Sequence, residues 1–478
     1  MSATILTVTP PQPNTTEDKQ QTITPAVSRC LPDGTLIELV YNPDERTTAF
    51  AIWKNGGLKI KSEFEHEGER LIPFSPRNNL IKNEAVLLPA APQEYGTEED
   101  LVSGIGSFVH RYADLSPAFE RVATHYIALT WLYDAFNELP YLRLRGDFGT
   151  GKTRTLLTIG SLCHKAFFAS GASTVSPVFH TLDAFRGTLI FDEADFRFSD
   201  ERAEIVKILN NGNVRGMPVL RTMMNRQREF NPQAFQVFGP KIVATRGSYE
   251  DRGLESRFIT EEMGPRRLRP DIPINLPPAF RDEARALRNK LLLFRFHRRL
   301  DTKLDESLLD PRLEPRLNQI LLPLLSVVRD QRARDEIQAI ALGTQAALVA
   351  ERGQSTEAQV LEILGELAAA SDGSTISIGE ITVAVTKRYG SEYERPLTNR
   401  WIGGIIRKRL GLQTYKSHGV YVVPVSDRSK LDALYARYGI SPDNSSDAFA
   451  TIGANAGSES DLGDVGTGGT SGPASTKD

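Results

Sequence analysis

Cysteine is nearly missing: the 478 residues hold two, Cys30 and Cys163, far apart and with no histidine at ligand spacing. That scarcity excludes a disulfide framework and a Cys/His zinc site, and it fits a reducing cytoplasmic setting. Long apolar runs are missing as well. No stretch reaches the ~18 residues a membrane span needs, and the N-terminus has no charged-then-apolar leader, so neither a span nor a secretion signal is expected. A global charge excess is also lacking, with 57 Lys and Arg against 60 Asp and Glu. Any nucleic-acid contact must therefore come from local patches. What is present is an ordinary globular balance, 40% hydrophobic and 24% charged, in a chain long enough for several domains.

Residues 1–28 are rich in Thr, Pro and Gln without hydrophobic period and are expected to be a disordered arm. Residues 29–95 carry short apolar runs, Thr35–Tyr41 and Thr48–Trp53, between Pro-Asp and Asn-Gly-Gly turns. This spacing predicts a small β-rich domain. From Leu101 the period becomes helical, and Phe119–Leu139 keeps it up to Pro140. Between 96 and 265, apolar strand-like runs (Tyr141–Leu144, Ala166–Ala169, Thr188–Asp192, Lys241–Thr245) alternate with helical ones (Lys152–Cys163, Glu201–Asn210). Such alternation predicts a layered α/β domain with parallel strands. Pro277–Leu300 and Leu313–Leu342 read as helices within a lid spanning 266–350, and 354–440 reads as a further compact domain. Residues 441–478, rich in Ser, Gly, Ala and Asp, are expected to be a disordered tail.

One motif carries chemistry by itself. Gly146-Asp-Phe-Gly149-Thr-Gly151-Lys152-Thr153 fits G-x-x-x-x-G-K-[ST], with a strand before it and a helix after it. In that setting the glycines let backbone amides turn inward around phosphate oxygens at a helix N-terminus. Lys152 would reach the β- and γ-phosphates of ATP, and the Thr153 hydroxyl would ligate Mg²⁺. The apolar run Gly187-Thr-Leu-Ile-Phe-Asp192-Glu193 ends in two acids and is expected on a strand neighbouring the loop's own. Asp192 would hold Mg²⁺ through water, and Glu193 would polarise the attacking water. The alternative is that both acids cap the next helix; Asp195 fits a cap or surface position. Further on, Lys241–Arg246 ends a strand in polar residues, and Asp251-Arg252-Gly-Leu-Glu-Ser-Arg257-Phe258 offers an arginine. That arginine serves either a neighbouring subunit's nucleotide or an ordinary surface ion pair.

Together Gly146–Thr153, Leu189–Glu193, Lys241–Arg246 and Gly253–Phe258 resemble an AAA+ ATPase, over roughly half the chain from about Leu101 to Leu342. Leu139–Arg143, Val206–Gly212 and Phe238–Thr245 are similar, more narrowly, to helicase-like AAA+ proteins of phages, plasmids and integrative elements, distantly akin to minichromosome-maintenance helicases. The resemblance implies an AAA+ P-loop core over 96–265 and a ring of identical subunits, a hexamer. It implies Arg257 as the arginine finger and Thr245 as the first sensor, where many members carry Asn. A second sensor arginine would come from the lid, where both Arg285 and Arg288 fit.

Two regions carry local basic charge. Val219–Thr222 and Phe235–Phe238 are expected to pair as a hairpin. Between Val214 and Gly239 it carries four arginines, Arg215, Arg221, Arg226 and Arg228, against the single acid Glu229. In helicase-like AAA+ rings such a hairpin lines the pore, so Arg221, Arg226 and Arg228 would meet single-stranded DNA phosphates; an ordinary solvated loop is the alternative. The second region is 354–440. Helices Glu357–Ala370, Ile378–Tyr389 and Leu397–Leu410 precede a hairpin, Leu412–Tyr415 with Val420–Pro424, a pattern that looks like a winged helix. Trp401, Ile402, Ile405, Ile406 and Leu410 are expected to face inward, and His418 to shape the hairpin. Arg400, Arg407, Lys408, Arg409 and Lys416 would then meet duplex DNA, unless the module docks protein instead. The function so read is an ATP-driven motor on DNA, a helicase or replication initiator of a mobile element. A protein-remodelling or regulatory ATPase is the competing reading. The arginine-rich hairpin favours the first, and Glu193 counts against a hydrolysis-free switch.

Overall fold

The computed structural model describes residues 22–192, 200–224, 230–249, 251–264, 269–371, 375–393 and 395–440. The expected arm before residue 22, the tail from 441, Glu193, Asp195 and the hairpin-tip arginines Arg226 and Arg228 lie outside the described residues. The chain divides into two compact units, the first ending at Gln345 and the second starting at Ala346. No described helix is long and apolar enough to cross a membrane.

The first unit is built on a five-stranded sheet: β1 (Tyr141–Arg145), β2 (Phe167–Ser170), β3 (Leu189–Asp192), β4 (Lys241–Thr245) and β5 (Phe258–Glu262). Its spatial order is β5-β1-β4-β3-β2, and every pairing is parallel. β3 and β4, at the middle of the sheet, read as nearly continuous apolar runs because both faces are covered. Alternate residues divide between two cores. Leu142, Leu144, Ile190, Ile242 and Ile259 join the core that also holds Tyr126, Ile127 and Trp131 of helix Pro117–Leu132 and Ile159 of helix Lys152–Gly160. Tyr141, Leu189, Phe191, Val243 and Phe258 join the other, with Phe179 and Leu182 of helix Val175–Phe185 and Ile208 of helix Asp200–Asn211.

Three sequence expectations need correction. The acidic strand does not neighbour the loop strand, since β4 stands between β1 and β3. The N-terminal β-rich segment is not a separate body. Its strands begin at Thr22, inside the expected arm, and Leu36, Val40 and Ala51 sink into the main core. Buried charge seals that junction: Glu38, 2% exposed, accepts Arg295 Nε at 2.7 Å and lies 2.7 Å from Lys165 Nζ. The helices Ala279–Arg298 and Pro315–Val327, expected as a lid, pack into the same core through Leu291, Leu292, Ile320 and Leu324. The expected helix Phe119–Leu139 spans Pro117–Leu132, capped by Ser116. Strand β5 and helix Val175–Phe185 were not anticipated. In both cases the sequence offers a short apolar run that either conformation accepts.

The basic hairpin pairs Val219–Met224 with Phe230–Phe235, not with the expected Phe235–Phe238, because Val219 pairs opposite Phe235 and the register runs back from there, Arg221 lying opposite Gln233.

In the second unit, helices Thr356–Ala370, Ile378–Tyr389 and Asn399–Gly404 enclose a core of Leu361, Ile381, Ile402 and Ile406. The last of these continues as a wide turn, Leu410 N–H bonding back to Ile405 O. A three-stranded antiparallel sheet completes it, with Thr375–Ser377 and Tyr415–Ser417 flanking Val420–Pro424. His418 and Gly419 have φ of +46° and +87°, the two left-handed positions of a tight hairpin turn. Helix Arg428–Tyr438 closes the unit against Leu361 and its neighbours. Trp401 does not face inward as expected. It is 40% exposed and stands edge-on to Tyr393, because the buried stripe runs through Ile402, Ile405 and Ile406 beside it.

Candidate nucleotide site

The loop after β1 has the shape its glycines require. A Cβ on Gly146 would strike Met263 O at 2.3 Å, because the backbone leaving β5 crosses directly over it. Gly149 and Gly151 sit at φ +75° and +87°, a region costly for other residues. Helix Lys152–Gly160 begins at Gly151 with no side-chain cap, so its first amides are left for a ligand. Around them lies a cavity of about 330 Å³ lined by Phe148–Arg154, Asp192 and Arg246.

Within it Lys152 Nζ donates to Gly146 O and Asp147 O, each at 2.6 Å. The ammonium is therefore held at the mouth of the loop by carbonyls that a phosphate would outcompete. Thr153 Oγ1 donates to Asp192 Oδ2 at 2.6 Å, across the intervening strand. This is the pairing the motif demands, and it forms although β1 and β3 are not adjacent, because the helix start carries Thr153 over the end of β4. A hydroxyl and one carboxylate suit Mg²⁺, which keeps most of its waters and takes few protein ligands.

Thr245 ends β4, the strand between the two halves of the site. It is 1% exposed, and its hydroxyl has no hydrogen-bond partner among the described residues. A buried hydroxyl left unpaired costs stability. Arg246, read from the sequence as the polar end of its strand but given no role there, lines the cavity with its guanidinium 3.5 Å from the centre of the Phe148 ring. The signal was present, a cation at the C-terminal end of a parallel strand, where ligand sites gather in such sheets.

Other candidates lie elsewhere. Arg257 precedes β5 at the opposite end of the sheet, donating to Asn210 Oδ1 at 2.5 Å, and it does not line the cavity. Burial, and after it Arg316, lowers its pKa. Arg288 is buried and donates to Ser161 O at 2.7 Å, while Arg285 pairs with Asp282; neither reaches the loop. Arg154 ties the segment before the helix Ala279–Arg298 to the loop helix through Pro273 O and Ile274 O.

The basic surfaces divide likewise. Arg221 is taken up by Glu204 and lies over the Phe179 ring, so it anchors the hairpin's base. Arg409 is held by Glu357 at 2.8 Å. Arg400, Arg407, Lys408 and Lys416 are exposed, Arg407 lying over Tyr421.

Neither a family model nor a curated protein matches the sequence. Among solved structures the chain is similar to the C-terminal region of NrS-1 (13% identity, 81% of this chain and 96% of that one, TM-score 0.36). It is similar to the active helicase Cch of SCCmec type IV (10%, 86% and 80%, TM-score 0.39). It is also similar to a full-length MCM homolog from Methanopyrus kandleri (10%, 63% and 67%, TM-score 0.35). At these levels the reading of the site rests on its own residues.

Proposed function

We propose that this chain is an AAA+ ATPase acting on DNA, a ring-forming helicase or replication initiator of a mobile element. The observation that carries the ATPase reading is the Thr153–Asp192 pair at 2.6 Å beside an uncapped helix start and a glycine-built loop. In this reading the loop amides and Lys152 bind the ATP phosphates, and Thr153 and Asp192 hold Mg²⁺, which would neutralise charge on the transferred phosphoryl group. Glu193 would orient the attacking water, and Thr245 would meet the γ-phosphate with its free hydroxyl. Arg257, directed away from its own cavity, would serve the nucleotide of the next subunit in a hexamer.

The DNA part rests on charge placed at two surfaces. Arg226 and Arg228 lie in the sequence between the two hairpin strands, and the second unit combines three helices with a small antiparallel sheet in the manner of a winged helix. Its exposed Arg400, Arg407, Lys408 and Lys416 would face duplex phosphates. Arg221 and Arg409 are withdrawn from this list, since intramolecular carboxylates occupy them. The deciding experiment is steady-state ATP hydrolysis with and without single-stranded DNA, beside Lys152→Ala and Arg226→Ala/Arg228→Ala. Stimulation by DNA that the hairpin variant alone loses supports the motor. Hydrolysis that Lys152→Ala abolishes but DNA never alters turns the reading to protein remodelling.

A further inference from the structure

A second cavity, about 350 Å³, opens at the other end of the central sheet. Its wall comes from residues that precede the strands: His164 before β2, Arg186 before β3, Phe238 before β4 and Tyr133 ahead of β1. The phosphate loop follows a strand, so the length of the sheet, on the order of 15 Å, separates the two sites.

Five guanidiniums line this cavity, from Arg29, Arg186, Arg215, Arg295 and Arg299, against the single carboxylate of Asp134. Asp134 accepts Arg295 Nη1 and Arg299 Nε, both at 2.8 Å, and is spent on them. Arg215 is fixed by carbonyls, donating to Asp134 O at 3.0 Å, and lies over the Phe238 ring at 4.7 Å. Arg29 and Arg186 are exposed, and no described carboxylate pairs with either. Tyr133 donates to Arg186 O at 2.6 Å, which holds that residue in place at φ +51°. The wall also contains a buried polar group with nothing to bind. His164 is 2% exposed, and neither ring nitrogen completes a hydrogen bond, Nε2 lying 3.5 Å from Glu38.

We infer that this cavity is a second phosphate-ester site, built from Arg29, Arg186 and Arg215 around the aromatic wall of Tyr133 and Phe238. A fixed positive excess with guanidinium forks selects phosphate, and the two rings offer apolar faces to the group the phosphate is esterified to. The ester is either a free phosphorylated small molecule or the backbone of a nucleic-acid strand. The inference does not depend on the motor reading, since none of these residues belongs to the loop, the hairpin or the second unit.

The protein carries its own reporter. Cys30 is exposed and lines this cavity, while Cys163 is buried and its thiol pushed up by that burial. Alkylation of the full-length protein by a maleimide therefore reads Cys30, with Cys30→Ser as the blank. Pyrophosphate and a thymidine oligonucleotide of roughly 12 bases are compared at matched ionic strength. Protection by pyrophosphate, several-fold in rate, identifies a free phosphate ester; protection by the oligonucleotide alone identifies a strand. In either case Arg186→Gln and Arg29→Gln, both surface changes, lose the protection and Lys152→Ala keeps it. If neither probe slows alkylation, or Lys152→Ala removes the protection, the site does not exist.

Discussion

Replacing Glu38 by Gln tests how the N-terminal strands are joined to the core of the first unit. Glu38 is 2% exposed between Lys165 Nζ and Arg295 Nε, each 2.7 Å away, and His164 at 3.5 Å. Burial by itself would raise its carboxyl, but Lys165, Arg295 and His164 outweigh that and hold it well below the ordinary carboxylate range. Gln keeps the shape and removes the charge. Arg295 retains the carboxylate of Asp134 at 2.8 Å, whereas Lys165, 1% exposed, loses its contacting carboxylate and keeps neutral acceptors, such as the Ser28 hydroxyl at 2.6 Å. One buried cation is thus stranded, at a cost of about 3–5 kcal/mol, a large share of the ~5–15 kcal/mol that holds a typical fold together. With a urea slope of roughly 3 kcal/mol per molar, the unfolding midpoint of the first unit should fall by about 1 M or more. Glu38→Gln/Lys165→Met, which removes the stranded charge as well, should recover much of the loss. A single-variant loss below about 1 kcal/mol, or a double variant no better than the single, would refute the reasoning.

The unpaired hydroxyl of Thr245 leads to an unusual split. Thr245→Val should unfold no more easily than the parent, while ATP hydrolysis falls roughly tenfold to a hundredfold; a matching loss of stability would make the residue merely structural. Arg257→Ala should lower hydrolysis by about a thousandfold, and mixing it with Lys152→Ala subunits should restore part of the rate, because each supplies what its neighbour lacks. No recovery on mixing would count against an arginine shared between subunits. Asp192→Asn should raise the Mg²⁺ concentration needed for nucleotide binding, read by titration of a fluorescent ADP analogue, and an unchanged requirement would remove Asp192 from the metal site. Burial lowers the pKa of His125 to about 4; burial and then Lys165 do the same for His164. An imidazole ordinarily titrates near 6.5, so between about 6.5 and 4 the unfolded chain binds protons the native one refuses. Stability should fall through that window as pH drops, each histidine contributing on the order of 3 kcal/mol by its lower end. Urea midpoints unchanged from pH 7 to pH 4.5 would contradict this.

What the sequence determined by itself is local. The loop Gly146–Thr153 is legible because its function needs consecutive backbone positions and a helix start, all within one stretch of chain. Strands Leu189–Asp192 and Lys241–Thr245 are legible because burial on both faces makes them continuously apolar. The helices of the second unit follow from period and turn residues, and the turn at His418–Gly419 from its chemistry. Only the tertiary structure decided what crosses between segments. Strand order inserted β4 between the loop strand and the strand of Asp192, which brings the end of β4, and Arg246 after it, to the cavity. Packing drew the N-terminal strands into the core through Glu38, Lys165 and Arg295, residues that look like solvated surface charges when read along the chain. It also spent Arg221 and Arg409 on nearby carboxylates and gathered Arg29, Arg186 and Arg215 around one cavity. The physical reason is common to all of these. A side chain's local propensity reaches only a few residues along the chain, but its charge and its burial are settled by partners hundreds of positions away.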